Sequence, residues 1–410
     1  MNSLGWRWRA MRLAPGVLVL LTAACSGPAA APPSASVVTA NPSTAAVASP
    51  STTAASAQGS PAGSAPAAAS AGSWDQVLAA GKAEGTVVVA SQAGSGVLDS
   101  LSGDFSKTYP GIKVDFTAEN GSETDTRIIT EQKAGKFTTD VVVNGTTTLF
   151  TLASAGGLDP LAPWLVGPQT QETSQWLGGK YTYADDAGKY ILMLAAGVAA
   201  PFIYNSTLVN PSEFKSWRDL LNPKWKGKMS MFDPQVAGNG TATAQFWYIT
   251  PTLGKDFIMQ FFQQQGVVLS RDDRQMSDWA GQGQYPIGVA AQGFQALVLK
   301  KQGVPLEFLA STLQEGSYLT TSWGSVAVLT KAPHPNATKV YLNWLLSKDG
   351  QSSMAKAAGY PSRRLDASTE GLIPATIPKQ GVQYQELNAE SFVRSRPEAL
   401  DYVKSVLPKT

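Results

Sequence analysis

Residues 74–143 alternate between helix-like and strand-like segments, and this alternation restricts the possible fold more than any other feature of the sequence. The predicted helices are 74–84, 97–108 and 123–134, and the predicted β-branched strands are 86–90, 112–116 and 140–143. Gly85 ends the first helix, and a Tyr109-Pro110-Gly111 break ends the second. Strand, helix and strand in this order are typical of a parallel sheet with crossover helices, so we predict an α/β fold.

A second region of the same kind lies later in the chain. Its predicted elements are a helix at 217–221 that stops at the loop 222–227, a strand at 229–232, a helix at 242–249 and a buried strand at 287–291. The repeated α/β pattern favours two lobes over one continuous sheet.

Two long extended stretches, 190–204 and 317–331, flank the second region. We interpret them as the segments that cross between the lobes. The resulting organisation is a first lobe at 73–200, a second lobe at 201–322, and a return to the first lobe, with C-terminal helices, at 323–410.

The loops at the carboxyl ends of the predicted strands are the expected ligand site, because helix N-termini there present unpaired backbone N–H groups. The candidate ligand-binding residues in and near these loops are Ser91, Ser95, Ser122, Asn144, Thr146, Asn239, Thr241 and Gln292. Tyr204 and Tyr318, at the end of one crossing segment and the start of the other, complete the set. Ser122 and Asn239 are equally consistent with helix caps, and the two tyrosines with hinge packing. Hydroxyl and amide groups of this kind suit an anionic or strongly polar ligand.

Residues 1–24 have the layout of a secretory signal peptide. Arg7, Arg9 and Arg12 precede an apolar run at 13–24 that is shorter than the roughly 20 residues of a membrane-spanning helix. The run ends in Leu-Thr-Ala-Ala followed by Cys25, which resembles the bacterial lipobox, with threonine where leucine is usual. We predict that Cys25 is lipidated. The alternative is a secreted protein whose cysteine lies within a cleaved signal.

Residues 26–72 contain no charged side chain and consist almost entirely of Ala, Ser, Pro, Thr, Gly and Val. Because this composition cannot bury enough apolar surface to fold, a disordered tether is predicted at 25–72, beginning with the lipidated cysteine. Loss of the three signal arginines takes the 32 basic residues to 29, against 30 acidic residues. This balance gives no electrostatic footprint for nucleic acid or for a membrane surface. Cys25 is the only cysteine, which excludes an intramolecular disulfide.

Several sequence pieces, taken in order, resemble a known family. They are Phe105 to Val114, Glu131 with Asp140-Val141-Val142, Tyr204-Asn205, Trp217 to Leu221 running into Pro223 to Lys228, and Ala332 to Ala337. Their order and spacing resemble the extracellular solute-binding proteins of ABC importers, particularly the ferric-iron and related-solute branch. The resemblance implies a type II periplasmic-binding-protein fold, in which two lobes, each a mixed and mostly parallel sheet flanked by helices, close on solute by hinge bending.

The resemblance also implies a role and a location. It implies a binding protein rather than an enzyme, without a cofactor, that acts as a monomer and passes a small solute to a permease and an ATPase on separate chains. We expect it at the outer face of the bacterial membrane or in the periplasm, held by the lipid anchor alone. Trp217 and Trp225 are interpreted as core residues, whereas Trp323 is equally consistent with a place in the core and with one in the cleft.

The ferric branch binds iron through adjacent tyrosines that follow a strand of the second lobe. Gly293 and Phe294 occupy the corresponding positions here, and the only histidine, His334, lies in a proline-rich turn. Neither glycine nor phenylalanine has a side chain that ligates a metal, so no metal site is predicted. We expect instead a small polar or anionic solute, such as a ferric complex or a phosphonate.

A secreted hydrolase is the alternative class. The sequence contains no Gly-x-Ser-x-Gly elbow and no His-Glu-x-x-His motif, and one histidine in a turn does not suit a catalytic triad. A catalytic pair of carboxylates is still compatible with the sequence, and the adjacent acids are Asp185-Asp186 and Asp272-Asp273. An adhesive surface protein is disfavoured because such modules usually show many short antiparallel strands.

Overall fold

A computed structural model of the protein describes residues 74–407, apart from Ala237, Gln292, Ser311 and Thr312. All of them fall within one compact unit. The predicted signal segment, Cys25 and the predicted tether lie outside the described residues.

The strands of the described chain are short. In chain order they are β1 (Thr86–Ser91), β2 (Lys113–Ala118), β3 (Val141–Asn144), β4 (Leu158–Asp159), β5 (Leu192–Met193), β6 (Gly197–Val198), β7 (Phe202–Asn205), β8 (Met229–Phe232), β9 (Val268–Ser270), β10 (Ile287–Val289), β11 (Leu306–Phe308), β12 (Tyr318–Thr320), β13 (Ser325–Leu329) and β14 (Gln385–Glu386).

The α-helices lie between and after these strands. They are α1 (Trp74–Glu84), α2 (Ser95–Leu98), α3 (Phe105–Thr108), α4 (Gly121–Lys133), α5 (Thr146–Ser154), α6 (Asn239–Ile249), α7 (Gly254–Gln264), α8 (Asp273–Gln282), α9 (Phe294–Lys301), α10 (Pro335–Leu345), α11 (Lys348–Ala358) and α12 (Glu390–Val406). A π-helical turn at Asp99–Asp104 joins α2 to α3. No helix in the described part of the chain is long and apolar enough to span a membrane.

The first lobe is built on the sheet β2-β1-β3-β13-β4, with β5 also paired to β13. β1 runs parallel to β2 and β3, and β13 runs antiparallel to β3. Val87 and Val89 of β1 are fully buried in a cluster shared with α1 and α10, whereas Ala90 joins a second cluster with Ile128 and Leu149 of α4 and α5. Helices therefore cover both faces of the sheet, which explains its nearly continuous apolar strands.

The second lobe is built on the sheet β11-β7-β10-β8-β9. β10 is parallel to β8 and antiparallel to β7. Its core is rich in aromatic rings, and Trp217 packs edge-on against Trp247 with ring centroids 5.2 Å apart. Trp217 and Trp225 are both buried there, as predicted, and Trp323 is buried in the first-lobe core.

A small third sheet, in the order β14-β12-β6, lies where the chain passes between the lobes. β6 leads into β7 of the second lobe, and β12 leads into β13 of the first lobe. The two predicted crossing segments thus pair with each other, antiparallel, through Leu319 and Val198. Together with the two flanking sheets this arrangement confirms the predicted two-lobed α/β fold.

The C-terminal helix α12 contacts both lobes. Along its length it packs against α6 and α7 of the second lobe, with Val403 and Val406 in that core. At its N-terminal end, the Glu390 backbone N–H donates to Ala184 O at 2.8 Å, and Arg394 pairs with Asp186 at 2.8 Å. Helices α10 and α11 pack in the first-lobe core, whereas α12 packs mainly on the second lobe.

Element boundaries differ from the predicted ones where local contacts decide them. α6 begins at Asn239 rather than at 242, directly after Gly238, which is the N-cap residue and adopts φ +148°, a conformation that glycine tolerates best. Residues 217–221 form a 3₁₀ helix rather than an α-helix, with Ser216 and Asp219 as a capping box at its start.

Candidate functional site

A cavity of about 450 Å³ lies between the lobes. The first lobe contributes Thr147, at the start of α5, and the second lobe contributes Asn239 and Thr241, at the start of α6. Tyr318 comes from the crossing strand β12, and Arg396 comes from α12. The volume is in the range of small-molecule sites. Its walls come from both lobes and from a crossing strand. A solute that fills the cavity would therefore lie between the two lobes that a hinge motion brings together.

Arg396 is the charged side chain among the described residues that line this cavity. Its Nε donates to Gln245 Oε1 at 2.8 Å, and its Nη2 donates to Leu387 O at 3.1 Å. Burial lowers the pKa of Arg396, and a smaller interaction with Tyr318 acts in the opposite direction. An arginine remains protonated despite such a shift. The guanidinium is therefore a cation held in place by two neutral acceptors.

Two helices of opposite lobes begin at the cavity. α5 starts after Gly145 and α6 after Gly238, and neither helix has a side-chain cap on its first N–H groups. Uncapped N–H groups at a helix start carry partial positive charge and suit an anion. Asn144 precedes Gly145, and its Oδ1 accepts a hydrogen bond from the Gly145 N–H at 2.8 Å. Its Nδ2 is buried and has no partner among the described residues.

Two tyrosines form the neutral part of the wall. The Tyr318 hydroxyl shares a 2.8 Å hydrogen bond with Thr243 Oγ1, and burial raises the Tyr318 pKa. Burial also raises the pKa of Tyr360, which is hydrogen-bonded to the Asn239 side chain. The Asn239 Nδ2 in turn donates to Ala291 O at 3.4 Å. Both phenols therefore stay protonated at neutral pH and offer hydroxyl groups rather than charge.

Tyr360 also separates this cavity from a larger one of about 710 Å³ between α9 and α11. The larger cavity is lined mainly by apolar and serine side chains, with Lys301, Lys356 and Glu370 among them. We take the smaller cavity as the candidate site, because polar groups from both lobes converge on it.

Three of the predicted ligand-binding residues line the candidate cavity: Asn239, Thr241 and Tyr318. The Thr241 hydroxyl donates to Val236 O at 2.7 Å within the loop before α6. Neither Ser122 nor Asn239 is an N-cap: Asn120 caps α4 in a box with Glu123, and Gly238 is the N-cap of α6.

Three other predicted residues have hydrogen-bond partners within the protein. Ser91 is fully buried and its hydroxyl donates to Val143 O at 2.7 Å, which ties β1 to β3. Thr146 is buried and accepts from Asn388 Nδ2 at 3.3 Å. Ser122 is exposed in the first turn of α4 and donates to Asn120 at 2.8 Å. These hydroxyls are already engaged within the protein.

Tyr204, a further predicted residue, does not line the cavity. Tyr204 lies in β7 and packs in the second-lobe core, with its ring edge-on to Phe202 at 6.3 Å. Ser95 begins the short helix α2, and its side chain lies outside what the structure describes. Gln292 lies outside the described residues.

Arg396, Gln245 and Tyr360 were missed by sequence reasoning. Arg396 and Gln245 meet across 151 positions of sequence, and Tyr360 follows α11, far from any predicted ligand loop. No local motif marks them, because Arg396 and Tyr360 reach the cavity only when α12 and the end of α11 fold back onto the cleft, and Gln245 acts only through its hydrogen bond to Arg396.

No cluster of three His, Cys, Asp or Glu side chains suited to a metal occurs in the part of the chain that the structure describes. Gly293 adopts φ +84° at the start of α9, and Phe294 is 64% exposed. His334 Nδ1 lies 2.8 Å from Asp140 Oδ2 in the first lobe.

The adjacent carboxylates have structural tasks. Asp185 accepts backbone N–H groups from Lys189, Tyr190 and Ile191 at 2.8 to 3.1 Å. Asp272 caps α8 by accepting from the Arg274 and Gln275 N–H groups. Neither pair lines the candidate cavity. The structure gives no arrangement of these acids that favours the hydrolase alternative.

Comparison with known proteins finds a matching family and sequence relatives. The family described as bacterial extracellular solute-binding protein matches residues 101–379. An uncharacterized protein of Haemophilus influenzae is 31% identical over 147 residues, which are 33% of this chain and 38% of that relative. The spermidine/putrescine-binding periplasmic protein 1 of the same organism is 23% identical over 276 residues, which are 66% of this chain and 73% of the relative.

Solved structures resemble the whole described fold. The Trichodesmium protein FutA (IdiA), in complex with iron and citrate ligands, superposes with a TM-score of 0.60 at 18% identity, covering 78% of this chain and 99% of its own. The periplasmic binding protein AfuA of Actinobacillus pleuropneumoniae, with fructose-6-phosphate bound, gives a TM-score of 0.53 at 20% identity, covering 78% and 99%. At these identities the likeness concerns the fold, which is that of type II periplasmic binding proteins.

Proposed function

The chain belongs to the family of bacterial extracellular solute-binding proteins, and from this premise we propose that it is the substrate-binding component of an ABC importer. It captures a small polar or anionic solute, of the class of a ferric complex or a phosphonate, in the interlobe cavity and delivers it to a membrane permease. The observation that supports this most is the composition of the cavity wall. Thr147, Asn239 and Tyr318 come from one lobe, the other lobe and the crossing strand.

A cavity with such a wall links binding to closure. A solute that contacts both lobes stabilises the closed form of the protein. The ratio of its affinities for the closed and open forms sets how far the equilibrium shifts toward closure. The closed form is then the one that a permease can distinguish from the empty protein. The permease and its ATPase are proposed as separate chains, and the protein is proposed to act as a monomer.

Structural relatives support a small, charged solute without fixing its identity. Their bound molecules include iron together with citrate in one case and the anion fructose-6-phosphate in another, whereas the sequence relative is named for the polycations spermidine and putrescine. Direct ferric coordination is not proposed. The described residues offer no cluster of three His, Cys, Asp or Glu side chains, and by the sequence resemblance Gly293 and Phe294 correspond to the tyrosine pair of the ferric branch.

Cys25 is proposed as the lipidation site, which would hold the protein at the outer face of the membrane on the tether 25–72. Intact mass measurement of the mature protein from membranes checks this. An N-terminal diacylglyceryl-modified Cys25 is the expected result, and an unmodified N-terminus after Cys25 would contradict it.

Solute capture is tested with the purified mature protein. Small molecules released by denaturation are identified by mass spectrometry, and each is added back while the melting temperature and the radius of gyration in solution are measured. A true solute raises the melting temperature with concentration and reduces the radius of gyration, because it binds the folded, closed protein only. The proposal fails if no released or added solute stabilises the protein and none makes it more compact.

A further inference from the structure

Among the described residues, none supplies a counter-charge to Arg396. Its two hydrogen-bond acceptors are the Gln245 amide oxygen and the Leu387 carbonyl oxygen. In the described structure no aspartate or glutamate forms an ion pair with Arg396, and none is present among the described residues that line the cavity. A partly desolvated cation without an anionic partner is unfavourable, so such a position is retained where something compensates for it.

The buried arginines elsewhere in the protein show the usual solution. Arg363 pairs with Glu386, and Arg364 pairs with both Asp366 and Glu172. Arg396 differs from both because its partners within the chain are neutral and because its guanidinium faces a cavity. Among the described residues, the lack of a carboxylate partner therefore distinguishes Arg396 from Arg363 and Arg364.

The remaining polar groups of the wall have the same sign. α5, nine residues long, and α6, eleven residues long, begin at the cavity from opposite lobes without side-chain caps. Their first N–H groups add partial positive charge, and the protonated Tyr318 and Tyr360 add hydroxyl groups without negative charge. Three independent elements, α5, α6 and α12, thus make the cavity attractive to an anion.

We propose that Arg396 is the specificity-determining residue of the cavity and that it pairs with an oxyanion group of the solute, a carboxylate, a phosphate or a phosphonate. The inference rests on the proposed solute-binding function and narrows it. The planar guanidinium fork matches these groups in geometry as well as in charge. A polyamine is disfavoured, because a polycation would face Arg396 and find no carboxylate in the described lining.

The position of Arg396 along α12 gives the pair a further consequence. The residue lies between the turn that contacts the first lobe through Glu390 and Arg394 and the stretch that packs in the second-lobe core through Val403. An anion held by Arg396 and by the N-terminus of α5 would therefore join the first lobe to a helix that already spans both. This placement lets a single ion pair contribute to closure.

Three variants of the full mature protein test the role of Arg396. R396Q removes the charge, R396K keeps the charge but loses the planar fork, and R274Q is the control, because Arg274 is an exposed arginine on α8 with a 76% exposed side chain. The probes are methylphosphonate, glycerol 3-phosphate, citrate and ferric citrate as anions, glucose and glycerol as neutral molecules, and putrescine and spermidine as cations. Calorimetric titration measures affinity, and urea unfolding without solute shows that each variant is folded.

We expect at least one anion to bind the wild-type protein more tightly than every neutral or cationic probe. R396Q should weaken that anion by about 100-fold, R396K should weaken it less, and R274Q should leave it unchanged. Equal binding of the anion by R396Q and the wild type would overturn the inference, as would a neutral or cationic probe that binds best. Those outcomes leave solute binding itself intact, whereas stabilisation by no solute at all counts against the proposed function as well.

Discussion

The Nε of Arg396 donates to Gln245 Oε1 at 2.8 Å, which fixes the direction of a C-terminal arginine by a buried residue of α6. The amide of Gln245 also donates to Phe392 O, so both of its ends are used. Substitution Gln245→Glu would place a carboxylate beside Arg396 and give the guanidinium an internal counter-charge. We expect Gln245→Glu to weaken anion binding about 10-fold more than the neutral variant Gln245→Met does, measured by calorimetric titration. Equal weakening by the two variants would show that charge competition plays no part.

The start of α6 is closely packed at Gly240. A Cβ placed on this residue would lie 2.1 Å from Phe232 O, a backbone atom with little freedom to move, whereas a Cβ on Gly103 would meet nothing within 4 Å. Gly240→Ala should therefore displace the α6 N-terminus, lower the free energy of unfolding by about 1–3 kcal/mol and reduce solute affinity severalfold. Gly103→Ala, the matched control, should not lower the free energy of unfolding and should leave solute affinity unchanged. Urea unfolding and calorimetric titration measure both, and wild-type affinity in Gly240→Ala would contradict the assignment of this helix start to the site.

The hydrogen bond between Tyr318 and Thr243 joins the crossing strand β12 to α6 at 2.8 Å. Tyr318 is only 3% exposed, so its hydroxyl would be left without a partner in Thr243→Val. We expect this variant to lose about 1–3 kcal/mol of unfolding free energy, and Thr243→Ser, which keeps the hydroxyl, to lose less. Equal stability of the valine and serine variants in urea would count against the bond.

Asp140 anchors the turn that contains the only histidine. Its carboxylate is fully buried and accepts the Val88 N–H and the His334 N–H, each at 2.8 Å, and it also contacts His334 Nδ1 at 2.8 Å. Asp140→Ala should leave these donors unsatisfied and cost about 2–4 kcal/mol of stability, measured by chemical unfolding. The folded fraction of this variant should keep its solute affinity, because Asp140 lies in the first lobe and does not line the cavity. A loss below about 0.5 kcal/mol would refute this anchoring role.

Asp125 predicts a specific pH dependence of stability. Burial raises the Asp125 pKa from 3.8 to about 6, and its Oδ1 has no partner among the described residues. Since the folded protein holds this proton more strongly than the unfolded chain, the contribution is fully present below about pH 4 and is lost as pH rises through about 6. The group is half-exposed, so the effect should be only about 1 kcal/mol after solvent screening.

The test of this prediction is the unfolding free energy as a function of pH. Asp125→Asn should remove the decline between about pH 4 and about pH 7 that this residue causes, and should stabilise the protein at neutral pH. Asp115→Asn, at an exposed position of β2, is the matched control and should follow the wild-type curve. Identical curves for Asp125→Asn and the wild type would show that burial of this carboxyl has no thermodynamic consequence.

Much of the fold was predictable because the signals are local. The helix 74–84 and the strand 229–232 were predicted with the bounds that the structure shows, since their glycine breaks and apolar runs act within a few residues. The two crossing segments were also identified, because a long extended run between two α/β regions usually connects them. The early start of α6 was not, because it depends on the φ of Gly238 and on the contact of Gly240 with Phe232.

The site was predictable only where it coincides with a helix start or a crossing strand. Asn239, Thr241 and Tyr318 were found for that reason. Ser91 and Thr146 have the same residue types in similar loops, but tertiary partners engage their hydroxyls. Arg396 could not be found, since its role depends on the packing of α12 against α6 and on the absence of a nearby carboxylate in the described cavity wall.

The most direct test of the account is a crystal structure of the mature protein grown with the anion that binds it most tightly. We predict the oxyanion group within hydrogen-bonding distance of the Arg396 guanidinium, between the N-termini of α5 and α6, with the lobes closed around it. An anion bound instead in the larger cavity between α9 and α11, or a cleft occupied without contact to Arg396, would contradict it.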